Sequence, residues 1–147
     1  MSGIHTFHSY SPAELALDDE DMTAVADTEY LSGILDWRNV EEVRVVAQIT
    51  ETGAPTTGTA SISWRPTNAG GTALHEDIAL VTAIDTKVDG NAVVFFASRN
   101  LAPDQEGATI GATAVAMFPL GWGKLVLTVT EQNNGTTSTA DVYADVR

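Results

Sequence analysis

Apolar residues recur at every second position through much of this chain, the period of a strand with one buried face. In EEVRVVAQIT, Val43, Val45, Ala47 and Ile49 alternate with Arg44, Gln48 and Thr50. GTASISWRP places Ala60, Ile62 and Trp64 on one face and Thr59, Ser61, Ser63 and Arg65 on the other. The turn-rich ETGAPTTG connects these two runs, in keeping with the backbone freedom of Gly and the fixed φ of Pro. TEYLSGIL predicts a strand ending before Asp36. IALVTAIDTKV and NAVVFFAS flank Asp89-Gly90, and KLVLTVTEQNNGTTSTADVYADV holds two alternating runs that meet at Asn134-Gly135.

Both dipeptides signal hairpins, because a type I′ turn needs positive φ at its two central residues. With Asn134-Gly135 as the loop, Leu125 is predicted opposite Ala144, Leu127 opposite Val142 and Val129 opposite Ala140. The other face pairs Thr128 with Asp141 and Lys124 with Asp145, the latter a cross-strand charge pair. At the other turn, either Asp89-Gly90 or Gly90-Asn91 can be central, and both registers put Ile84 on a face with Phe95 and Ala97. Asn134-Gly135-Thr136 also matches the glycosylation acceptor pattern, but the turn already explains the dipeptide.

The best helix candidate, residues 104–112, is interrupted by Gly107 and Gly111. Seven to eight short strands separated by turns predict an all-β fold, an antiparallel β-sandwich with Greek-key or jelly-roll connections. Its core is expected to hold Ile62, Trp64, Leu80, Phe95, Leu125, Leu127 and Val142, each contributing roughly 1.5–3 kcal/mol on burial. Residues 1–23 read as an extended arm, MSGIHTFHSYS followed by ELALDDEDM, with the sandwich occupying 24–147. An ordered arm is tied down, either on its own sheet or on a neighbour.

Composition narrows the chemistry. At 147 residues and 44% hydrophobic, the chain suits one domain with a real core. The lack of cysteine excludes disulfides, thiolate metal sites and a cysteine nucleophile. No apolar run approaches the roughly 18 residues that span a bilayer, and no signal-peptide layout opens the chain. Acidic residues outnumber basic ones 20 to 7, a net charge of −13, and such a field repels a phosphate backbone. Neither a membrane nor a nucleic acid is therefore an expected partner. Lys87 and Lys124 are the only lysines. Acidity with so little lysine fits proteins of halophilic organisms and their viruses, and an ordinary acidic soluble protein equally well.

The search for a catalytic constellation comes back empty, so the chain is expected not to be an enzyme and to need no cofactor. His5 and His8 have H-x-x-H spacing, but in an extended segment i and i+3 point to opposite faces, which favours a surface role over a metal site. His75, beside Glu76 and Asp77, reads as loop polarity. Asp18, Asp19, Glu20 and Asp21 invite a calcium hypothesis. The EF-hand spacing is absent, and four consecutive acids more often form a solvated, self-repelling segment. Trp37, Trp64 and Trp122 could make a sugar-stacking platform. Trp64 alternates with core positions, while Trp37 and Trp122 fall near strand ends, within reach of a ligand or another subunit. Gly121 and Gly123 lead into a strand and not a helix, so they are no phosphate loop.

From Asp36 to Arg147 the layout resembles small β-sandwich accessory proteins of tailed viruses, in particular capsid decoration (cement) proteins. The segments that carry the resemblance are EEVRVVAQIT, SISWRPTNAGG and GWGKLVLTVTEQNNGTTSTADVYADV. The resemblance implies a non-enzymatic virion protein on the capsid surface, a trimer that clamps neighbouring capsomers with extended arms. Its partners would be other virion subunits, chiefly the major capsid protein. A head-tail or tail accessory protein, and a carbohydrate-binding module, are the alternatives. The expected contact residues are Ile4, Phe7, Tyr10, Leu15 and Leu17 in the arm, with Trp37 and Trp122 at the strand ends.

Overall fold

The structure, a computed structural model, describes residues 14–98 and 121–147. These form nine strands: β1 (Glu14–Asp21), β2 (Glu29–Leu31), β3 (Leu35–Asp36), β4 (Glu42–Glu51), β5 (Thr59–Pro66), β6 (Ile78–Asp85), β7 (Ala92–Ser98), β8 (Trp122–Glu131) and β9 (Ser138–Val146). No helix occurs among the described residues; the helix candidate at 104–112 lies outside them.

One sheet has the order β1-β9-β4-β7 and the other β2-β8-β5-β6, with β3 also on β8. Every ladder is antiparallel. β2 and β3 are two pieces of one interrupted strand along β8. Between them the Ser32 hydroxyl accepts a hydrogen bond from the Leu125 N–H at 2.9 Å, in place of a backbone carbonyl. Counted so, eight strands fill two four-stranded sheets with crossings between them, which is a jelly roll.

The period-two pattern drives this arrangement. Val43, Val45, Ala47 and Ile49 face Ala60, Ile62 and Trp64 across the core, and all are buried. The seven expected core residues are all buried as well.

Both predicted hairpins are replaced by crossings between sheets. β8 pairs with β2, β3 and β5, while β9 pairs with β1 and β4. Leu125, Leu127 and Val129 therefore meet Ala140, Val142 and Ala144 through the core and not along one face. An inward-facing alternation looks the same in a hairpin and in two facing sheets, so the pattern could not decide. The turn chemistry also differs, since neither Asn134 nor Gly135 has positive φ. Asp145 pairs with Arg44, its register partner on β4, with an Nε–Oδ1 distance of 3.0 Å, and not with Lys124. β6 and β7 likewise lie in different sheets. Gly90, at φ 77, turns the chain onto β4: its N–H donates to the Ile49 carbonyl, and the Ile49 N–H donates to Asn91.

Glu14–Asp21 belongs to the sandwich itself, since β1 pairs with β9 from Glu14↔Ala144 to Asp21↔Thr139. The body thus includes residues ahead of Ala24, because Leu17 has an apolar slot opposite Val142. The acids that follow Leu17 sit on an edge strand with a register shift between Leu17 and Glu20.

The three crossings β4–β5, β6–β7 and β8–β9 stack at one end. The Asn133 Nδ2 donates to Glu51 Oε2 at 3.0 Å and to the Thr86 carbonyl at 3.0 Å, and its Oδ1 accepts from the Gly135 N–H at 2.7 Å. Asn134 Oδ1 accepts from the Thr56 and Thr57 N–H groups. These amides do the work that a hairpin turn was expected to do. Gly58 is required there: with φ +144, a Cβ would lie 2.4 Å from the Thr86 Oγ1.

Candidate interaction site

Among the described residues, the opposite end of the sandwich is open. Among the described residues, β1 and the β2–β3 strand end their respective sheets on the same side, and a groove of about 420 Å³ runs between them. Glu14, Leu15 and Ala16 line one side and residues 32–36 the other, with Trp37, Ala144 and Val146 between. Leu15 is 46% exposed and Ile34 41% exposed, and Leu31 nearby on β2 is 43% exposed. Large aliphatic side chains left in water beside a concave surface mark an interaction site more often than singly scattered ones do.

Beneath the groove lies a packed indole pair. Trp37 stacks on Trp64 with ring centroids 4.2 Å apart and planes at 6°. Gly123 on β8 lies flat against that stack, where a Cβ would fall 2.3 Å from the Trp64 Cζ2. The Trp37 backbone N–H donates to the Gly121 carbonyl at 2.8 Å. Arg38 makes a two-pronged pair with Asp36, at 2.8 Å for each prong, and its guanidinium lies 4.6 Å over the Trp122 ring. The Arg38 hydrogen bond holds the Asp36 carboxyl below the usual carboxylate range.

The expected contact residues divide. Ile4, Phe7 and Tyr10 lie outside the described residues, as do His5 and His8. Leu15 stands on the groove wall. Leu17 is a core residue, 4% exposed, because the register shift between Leu15 and Leu17 sets Leu15 opposite Tyr143 and turns Leu17 inward opposite the buried Val142. Trp37 lines the groove but is held by Trp64, and Trp122 is half-buried under Arg38. The three indoles therefore share no exposed platform. His75 is in an exposed loop, its Nδ1 3.0 Å from the Glu76 carbonyl. Ile34 and Ser32 carry the open edge and were not singled out by the sequence. Their only signal was the small pair Ser32-Gly33 inside an otherwise apolar run.

Of the acidic run, Asp18 and Asp19 come together with Asp141 of β9, their carboxylate oxygens within 4.8 Å of one another. Asp19 takes a left-handed conformation, φ 49, and its N–H donates to Asp141 Oδ1 at 2.7 Å. Desolvation, and then the neighbouring Asp19 and Asp141 charges, push the Asp18 carboxyl up from its ordinary value.

No family model and no curated protein sequence matches the chain. Among solved structures, similarity is found to a chain from the crystal structure of the T13 IBDV viral particle, with a TM-score of 0.33 and 10% identity. The alignment covers 92% of this chain and 38% of that one, so this chain spans well under half of its length. A score this low leaves the jelly-roll assignment resting on the strand order and the ladders alone.

Proposed function

We propose that this protein is a structural component of a virion that acts through subunit contacts, without turnover. The observation that carries the reading is the end of the sandwich where Leu15 and Ile34 meet solvent on the walls of a groove on a chain of net charge −13. A charge of that size favours solitary, soluble behaviour, so aliphatic side chains kept in solvent on such a body suit a surface that is covered in use. The jelly roll is a recurrent architecture of viral capsid domains, and of lectins too.

Within that reading the protein is a decoration (cement) protein on the capsid surface of a tailed virus, contacting the major capsid protein as a trimer. Symmetry then repeats a modest contact many times over a shell, which supplies avidity without a large single interface. Because Glu14–Asp21 is committed to its own sheet, the segment left to reach a neighbour is residues 1–13. The low lysine content suits a halophilic host.

Immunogold labelling of virus particles from the same source, with antibody against this chain, tests the reading. Label on the capsid surface is the expected result. Absence of the chain from every particle fraction would overturn it.

A further inference from the structure

We infer that the groove between β1 and β3 receives residues 1–13 of a second copy of this chain. The inference rests on reading the protein as a self-associating structural subunit, though not on its being viral. Three observations select this occupant.

Charge is the first. All 20 acidic and all 7 basic residues of the chain fall within 14–147; MSGIHTFHSYSPA contains neither kind. Any contact between two sandwich bodies brings strongly acidic surfaces together, which costs free energy. Residues 1–13 can touch a neighbour without adding a carboxylate. The groove has acids at its rim, Glu14 and Asp36, and aliphatic walls at Leu15 and Ile34. It suits an uncharged segment bearing Ile4, Phe7 and Tyr10, with His5 and His8 between them.

Backbone chemistry is the second. β1 ends its sheet, in the order β1-β9-β4-β7, so the side of its backbone away from β9 has no strand partner among the described residues. An extended segment laid along such an edge gains ladder hydrogen bonds as well as apolar contact.

Reach is the third. Thirteen residues at roughly 3.3 Å each span about 40 Å when extended, longer than the eight residues of β1. Glu14 opens β1 at the mouth of the groove. A segment of that length, joined to the body at that mouth, can reach the groove of a neighbouring copy.

A complementation experiment on full-length chains tests this. One variant carries Ile4→Ser with Phe7→Ser, the other Leu15→Ser with Ile34→Ser. Thermal unfolding of each checks that the sandwich is intact. Sedimentation velocity at molar salt then reads self-association. Each variant alone is expected to associate at least about tenfold more weakly than the parent chain. A one-to-one mixture is expected to recover association, because one copy keeps an intact segment and the other an intact groove. Weakening without recovery in the mixture overturns exchange of the segment between copies. Variants that associate like the parent overturn the groove as the docking site and leave the structural-subunit reading standing on another surface. A parent chain that stays monomeric at every concentration and salt overturns both.

Discussion

At one end of the sandwich the crossings near residues 52–58, 86–91 and 132–137 interlock through side-chain amides and carboxylates, with Val88 exposed among them, while at the other Leu15 and Ile34 stand exposed on the walls of a groove. The same jelly-roll body builds both. At the closed end, buried Glu51, Thr86, Asn133 and Ser138 each find a hydrogen-bond partner, which makes burial of polar atoms tolerable. At the open end, the Trp37–Trp64 stack lies beneath exposed Leu15 and Ile34. Polar loops that satisfy one another offer few free groups to a partner, whereas exposed aliphatic walls suit the proposed docking.

The largest break in that comparison comes from Asn133→Ala. It removes the donor to the buried Glu51 carboxylate and to Thr86, and hydrogen bonds to charged groups are worth about 1.5–3 kcal/mol. Urea unfolding is expected to show a loss of about 2–4 kcal/mol, with groove-dependent association unchanged in the folded fraction. A loss under half a kcal/mol would mean that the loops at the closed end do not depend on this amide.

Gly123→Ala follows. Its methyl would sit against the Trp64 ring, and overpacking a filled core typically costs about 1–3 kcal/mol. The same unfolding measurement checks it, and near-ultraviolet circular dichroism should report the disturbed indole pair.

The outcome of that variant bears on what the sequence can disclose. The alternation in EEVRVVAQIT and GTASISWRP identifies buried faces, because a strand turns every second side chain the same way. Sheet membership is different. Leu125 and Val142 face inward in a hairpin and in a jelly roll alike, so the pairing had to come from Asn133 and Asn134, whose side chains tie the loop to Glu51 and Thr56. Asn-Gly is read as a type I′ turn when only local backbone preference is considered, and here long-range hydrogen bonds outcompete that preference. The groove was half legible. Leu15 and Trp37 could be picked as apolar residues at the margins of strands. Ile34 could not, since its exposure follows from the break between β2 and β3 at Ser32.

A smaller effect is expected from Leu15→Ser with Ile34→Ser. Substitutions at exposed positions stay within about 0.5 kcal/mol of the parent, so the thermal midpoint should barely move while association falls. A midpoint lowered by many degrees would make these residues part of the core and not a docking surface.

The smallest expected effect belongs to Asp18. Its carboxyl is raised above the ordinary 3.8 by desolvation, and then by Asp19 and Asp141. The folded protein therefore holds that proton more tightly than the unfolded chain. The resulting stabilisation is fully present below pH 3.8 and is lost as pH rises through the elevated value. Asp18→Asn should raise the midpoint slightly at neutral pH and reduce the difference between neutral and acidic conditions. A midpoint unchanged at neutral pH would show that solvent already screens this cluster.

Hydrogen–deuterium exchange on the chain, compared between its associated and dissociated states, tests the contrast between the two ends most directly. The account predicts new protection at residues 14–16 and 32–37, with residues 51–58 and 132–138 unchanged. Protection gained at the amide-locked loops, with the groove exchanging as fast as before, would contradict it.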